Sequence, residues 1–198
     1  MVRSSMISLI NTLRGFGAAG TADFTLGNTN FWSDEQLQSI LDRYRVDIRE
    51  AEMVAHNITN ISGDPEYKEY TTHAGWWEET ATGGTTRFVI TDGLGSITPA
   101  TSYTADYESG LVTFSADQEG SARYVTGHSY DIYAAAADVW EQKASHYATM
   151  IDFSTDGHKV TRSHIVAQCE KMISKYNSLA ISGGNSSVQM IRGDYNGS

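Results

Sequence analysis

Apolar residues recur at helical spacing in four stretches of the chain and at strand spacing in one block between them. The first helix is expected over about Val2 to Arg14, where Met6, Ile7, Leu9, Ile10 and Leu13 form a stripe. "GFGAAG" then ends it. The second opens with Ser33 at the N-cap and Gln36 three residues later, the capping-box arrangement, with Trp32 and Leu37 at staple positions. Asp34 and Glu35 sit where the helix dipole favours anions. Leu37, Ile40, Leu41, Tyr44, Ile48, Ala51 and Ala55 carry the helical period onward, so this helix is expected to run through "FWSDEQLQSILDRYRVDIREAEMVAHN". Its other face bears Asp42, Arg43, Asp47, Arg49, Glu50 and Glu52, a solvated face or a contact between subunits.

From about Glu66 to His128 the period shortens. "TRFVITDG", "SYTADYESGLVTFSADQ" and "ARYVTGHSYDI" are β-branched and aromatic runs punctuated by Gly83-Gly84, Asp92-Gly93 and Ser109-Gly110. Alternation on both sides of Ser109-Gly110 predicts a hairpin, and the block reads as a small antiparallel sheet. A third helix follows, with Ile132, Ala136, Val139, Trp140, Lys143, Tyr147 and Ile151 in steps of three and four, and four consecutive alanines that permit close helix packing. The fourth covers about Thr161 to Ala180, striped by Ile165, Val166, Cys169, Met172, Ile173, Tyr176 and Leu179. The short "DFSTDGHKV" joins them, so they are expected to pack antiparallel. The expected fold is α+β: mainly a bundle of about four helices with an inserted small antiparallel β-subdomain. Residues 1–62 supply N-terminal helices, 63–129 the β-rich insert, 130–180 a helical hairpin and 181–198 a flexible tail. That polar tail carries Val188, Met190, Ile191 and Tyr195, apolar anchors suited to docking on a partner.

Charge narrows the function classes. The 198 residues include 24 acidic against 14 basic, a formal charge of −10. Tight groove binding of nucleic acid, which needs clustered Lys and Arg, is not expected. A single cysteine, Cys169, excludes an intrachain disulfide and a thiolate metal cluster, and its place on a helix stripe makes it a core residue. No membrane span or signal segment is expected.

The sharpest candidate chemistry is "DFSTDG". Asp152, Ser154, Asp156 and Gly157 match positions 1, 3, 5 and 6 of a calcium loop, but Ser163 stands where a bidentate glutamate is required and Lys159 adds a cation. The loop therefore reads as a turn. The six histidines lack metal-ligand spacing, and no nucleophile elbow or phosphate loop is present. "GFGAAG" follows a helix, the wrong context for cradling phosphate. Glu78-Glu79 cannot be assigned to a cleft. "RGD" at Arg192 to Asp194 is a three-residue coincidence. No enzyme, metal or cofactor is expected. An alternative reading uses Trp76, Trp77, Tyr103 and Tyr107 as an aromatic β-surface for a small ligand or carbohydrate, against the simpler use of these rings as sheet core.

The order of the motifs resembles a known family. "FWSDEQLQSILDRYR", then "YTADYESGLVTF", then "YDIYAAAADVWEQKASHYATMIDFSTDGHKVTRSHIVAQCEKM" look like a head–tail connector, or adaptor, protein of a tailed bacteriophage. The likeness covers about Leu9 to Lys175; "MID" departs from the family's aromatic before the Asp, and the tail beyond Ala180 has no counterpart. It implies a structural virion protein, made in the host cytoplasm and placed in the neck. Such proteins form homo-oligomeric rings, typically of twelve subunits, under the portal protein. They extend the DNA channel without sequence-specific binding and dock the tail terminator, stopper or another neck protein. The charged face of the second helix then supplies ring-contact candidates, Arg43, Asp47, Arg49 and Glu50, and the tail anchors supply partner-binding candidates.

Overall fold

The computed structural model describes residues 1–21, 23–26, 29–59, 61–80, 87–148, 153–155, 158–160 and 162–180. A 3-10 turn at Ser4–Met6 leads into α1 (Ile7–Phe16), whose Leu9, Ile10 and Leu13 are buried. Where α1 ends, Gly17 lies against Val139, so closely that a β-carbon there would collide with the valine. The glycine allows this approach. A short ribbon follows, β1 (Phe24–Leu26) paired antiparallel with β2 (Thr29–Phe31), and Phe24 stacks on Phe31 across it at 4.8 Å.

The capping box at the start of α2 (Asp34–Arg43) forms as the sequence predicts. Ser33 Oγ accepts from the Gln36 amide, and Gln36 Oε1 accepts from the Ser33 amide at 2.8 Å. The helix then stops far sooner than its apolar period suggests. Tyr44 caps it, and its hydroxyl donates to Asp138 at 3.2 Å. Beyond Tyr44 the chain is extended as β3 (Arg45–Glu52) and β4 (Val54–Thr59). Then come β5 (Pro65–Thr71), β6 (Phe88–Asp92), β7 (Tyr103–Asp106), β8 (Leu111–Phe114) and β9 (Arg123–Tyr130). They build a three-stranded sheet, β3-β9-β6, and a four-stranded sheet, β4-β5-β8-β7, every pairing antiparallel. The expected helical bundle with a small β-insert is thereby overturned: among the described residues four α-helices accompany seven strands in two antiparallel sheets, and the architecture is strand-rich α+β. The physical reason lies at 45–59. Val46, Ile48, Val54, Ile58 and Thr59 are β-branched, and the pairings of β3 with β9 and of β4 with β5 outweigh a weak helical period.

The hairpin predicted around Ser109-Gly110 is present as β7–β8, with Tyr103 opposite Phe114 and Asp106 opposite Leu111. Gly110 takes φ +75° in its turn. Met53, between β3 and β4, donates its amide to Arg123 O at 2.8 Å while the following residue pairs with β5, so the chain passes from one sheet to the other there. Met53, Tyr70, Trp77, Phe88, Ile90, Val112, Phe114 and Val125 fill a core between the sheets.

The helical side has its own core. α3 (Ile132–Ala148) buries Ala135, Ala136, Ala137 and Val139 against α1 and α2, as the alanine run allows. α4 (Arg162–Leu179) packs along α3. Tyr133 near the start of α3 stacks with Tyr176 near the end of α4, while Tyr147 lies near Cys169, so the two run antiparallel. Cys169 is buried. The link between them holds a second ribbon, β10 (Phe153–Thr155) with β11 (His158–Val160).

Candidate functional site

The two cores meet at Glu78. Trp76 and Trp77 donate their amides to Glu108 O and Tyr107 O, and Glu78 donates its own to His128 O at 2.8 Å, which ties this segment between the β7–β8 turn and β9. The Glu78 side chain, 2% exposed, points into the seam. Its carboxylate accepts from Ser5 Oγ at 2.6 Å and from Tyr130 OH at 2.8 Å. Arg3 Nε lies 3.3 Å away and Arg87 Nε 3.7 Å. Arg3 extends the network: its Nη2 donates to Tyr130 OH at 3.1 Å, its guanidinium holds Asp42, and its amide donates to Gln38 Oε1 at 2.7 Å. Burial pushes the Glu78 carboxyl up, but the hydrogen bonds from Ser5 and Tyr130 and the two guanidinium groups outweigh it and hold it below the ordinary carboxylate value. Burial and then the Glu78 hydrogen bond and charge push the Tyr130 hydroxyl well above its ordinary value.

Such an arrangement is a clamp. Both Glu78 oxygens are engaged by protein donors. It pins the N-terminal segment, α2 and β9 together through a charge that stays ionised at neutral pH. Sequence reasoning met Glu78 only as half of an acidic pair; its burial depends on the Trp76–Glu78 crossing, which no local pattern encodes.

The ring-contact candidates do not share a helix face. Arg43 ends α2 and pairs with Asp138 at 2.8 Å. Asp47, Arg49 and Glu50 are exposed on β3, with Asp47 held by Arg45 at 2.8 Å and near His128 at 3.3 Å. Glu50 has φ +46° and donates its amide to Thr126 Oγ1 at 2.9 Å, at the point where the β3–β9 register shifts. β3 and β4 are both outer strands of their sheets, and between them they expose Val46, Val54 and Ile58. The tail candidates Val188, Met190, Ile191 and Tyr195 lie outside the described residues.

The four aromatic residues proposed for a ligand surface take part in packing, and Trp76, Tyr103 and Tyr107 stay half-buried. Trp77 is 1% exposed, its indole donating to Ala74 O at 2.8 Å and its ring edge-on to Phe88. Trp76 packs on Phe16 and Tyr133, Tyr103 on Phe114, and Tyr107 on Phe88. Of the calcium-like loop, Asp152, Asp156 and Gly157 lie outside the described residues, while Ser154 pairs with Lys159 across the β10–β11 ribbon. Among the described residues no group of three or more His, Cys, Asp and Glu can hold a metal, and no helix is long and apolar enough to cross a membrane. A shallow groove of about 350 Å³ lies beside Ile97, Pro99, Phe114 and Arg123. Arg123 stacks 5.5 Å from the Phe114 ring and holds Gln118.

These features define a strand-rich α+β fold with a buried ionic clamp and, among the described residues, open sheet edges. No known protein-family model matches the chain, and a search of curated proteins gives no match.

Proposed function

We propose that the protein is a head–tail connector of a tailed bacteriophage, a non-enzymatic structural subunit of the virion neck. In this reading it is made in the host cytoplasm and assembles into a homo-oligomeric ring, of about twelve copies by the resemblance, beneath the portal protein. The ring lengthens the DNA channel and offers the tail terminator, stopper or other neck protein a docking face. The observation that supports it most is where the residues of the resembling motifs go. In "AAADVWE", Asp138 receives Tyr44 and Arg43, and the Trp140 indole donates to Phe16 O at 3.0 Å. "YTADYESGLVTF" is a core hairpin, and "FWSDEQ" a helix cap. All three motifs build the subunit, which is the use a scaffold makes of its signature. The net charge of −10 also suits a channel wall that repels phosphate and lets DNA pass.

Electron microscopy of the protein, alone and mixed with a phage portal protein, tests the proposal. Rings coaxial with the portal are expected. A chain that stays monomeric and never associates with a portal or neck component overturns it.

A further inference from the structure

Charge is divided unevenly along the chain. Residues 1–142 hold 20 acidic and 8 basic side chains, whereas residues 143–180 hold 3 acidic and 5 basic. α4 carries Arg162, Lys171 and Lys175 against Glu170 alone. Lys171 and Lys175, four residues apart, share one face of the helix, and both are exposed. The Lys175 ammonium lies 5.1 Å from the Tyr176 ring, and among the described residues neither lysine is in a salt bridge. Beside that face α4 is thinly covered. Of its apolar stripe Cys169 and Tyr176 are buried, while Ile165, Val166, Met172 and Ile173 stay half-buried and Leu179 is 49% exposed. An apolar strip with a charged rim is the composition of a protein contact.

A surface of the opposite sign lies at the other end of the fold. Tyr67 donates its amide to Asp117 at 2.9 Å and accepts from the Gln118 amide at 3.0 Å, which sets the start of β5 beside the turn before β9. Asp64, Glu66, Asp117 and Glu119 gather there, and the cations beside them, Lys68 and Arg123, are held by Glu66 and Gln118. Arg123 begins β9; Tyr130 ends it, and Tyr133 just beyond stacks on Tyr176 of α4. The acidic tip and α4 therefore lie toward opposite ends of an eight-residue strand, which spans about 23 Å. One chain thus presents the two signs on separate faces, the arrangement that a head-to-tail contact between copies uses and that closes into a ring. The exposed charges of β3 are mixed in sign, Arg45 and Arg49 among Asp47, Glu50 and Glu52, which leaves that strand edge guarded against pairing and offers a partner no single sign.

We propose that the Lys171–Lys175 face of α4 docks on the acidic tip of a second copy of this chain, formed by Asp64, Glu66, Asp117 and Glu119. The inference rests on the ring reading in needing a second copy, and it adds which two faces meet.

Sedimentation velocity of the protein, alone and with a phage portal protein, tests it. Self-association is expected to weaken as salt rises from about 0.05 M to about 0.5 M, because the contact is between opposite charges near solvent. Lys171→Glu with Lys175→Glu is expected to raise the dissociation constant about tenfold or more, and Glu66→Lys with Glu119→Lys to do the same, each with an unchanged circular-dichroism spectrum. A chain carrying all four reversals restores the match of signs and is expected to regain wild-type association. Should the α4 reversal unfold the protein, Lys171→Ala with Lys175→Ala makes the same test. Wild-type association in the α4 variant, or no recovery in the fourfold variant, overturns the contact while leaving the ring reading standing. Loss of binding to a short DNA duplex by the α4 variant, with self-association intact, assigns the lysines to phosphate and also overturns it. A wild-type chain that stays monomeric even with portal present overturns both readings.

Discussion

Replacing Glu78 with glutamine removes one charge and one acceptor from the seam between the two cores while nearly preserving its shape. The carboxylate receives two protein hydrogen bonds, from Ser5 and Tyr130, and faces the guanidinium of Arg3 at 3.3 Å. The amide nitrogen of Glu78→Gln would meet one of those hydroxyl donors with a donor of its own. It would also leave Arg3 with only Asp42 as a counter-charge. A hydrogen bond to a charged group contributes about 1.5–3 kcal/mol, and breaking a buried ion pair costs about 3–5 kcal/mol. The two ranges describe overlapping losses, so the expected destabilisation is about 3–5 kcal/mol. For a chain of this size that lowers Tm by roughly 6–20 °C. Acid titration adds a second signature. Because the folded-state pKa of Glu78 is depressed, its contribution is complete above the ordinary carboxylate value and is lost as pH falls through the lower folded value. Thermal and urea unfolding at neutral pH and at a series of acid values therefore give a steeper loss for the wild type than for Glu78→Gln. A neutral-pH destabilisation below about 1 kcal/mol, or parallel acid profiles, would refute the clamp.

Three further substitutions probe the elements around it. Ser33→Ala deletes the N-cap of α2 and is expected to cost about 1 kcal/mol in urea unfolding; no change would mean the cap is idle. Trp77→Ala empties the centre of the sheet core and is expected to cost about 3–5 kcal/mol, whereas Leu94→Ser, 93% exposed, should stay within about 0.5 kcal/mol, and similar melting curves for the two would contradict the packing. Gly110→Ala places a β-carbon against Ala74 O and Thr72 Oγ1 at φ +75°, and a loss of about 1–3 kcal/mol in chemical denaturation is expected, with neutrality counting against the turn geometry.

Local chemistry was legible in the sequence wherever neighbours in the chain decide it. The Ser33–Gln36 box, the Ser109-Gly110 turn, the alanine face of α3 and the burial of Cys169 each depend on spacing within a few residues. Residues 45–59 mimic a helix because Ile48, Ala51 and Ala55 extend the helical period of Leu37 and Ile40, while the deciding partners, Tyr130 to Tyr124 on one side and Thr71 to Pro65 on the other, are far along the chain or count only once a sheet exists. With that error the candidate ring contacts were placed on a helix face; they fall instead on the end of α2 and on a guarded strand. Glu78 was visible as an acid and invisible as a clamp, because Ser5, Arg3 and Tyr130 reach it from 73, 75 and 52 residues away. Of the four aromatic residues, Trp77 is core, with no face left for a sugar, as the simpler use of these rings expects.

The central proposal, that this chain assembles around a DNA channel, is tested most directly by cryo-electron microscopy of the protein mixed with a phage portal protein. A closed ring coaxial with the portal channel, with the subunit's sheets and helices fitting its density, is the predicted result. Monomers that leave the portal bare at every protein ratio would contradict it.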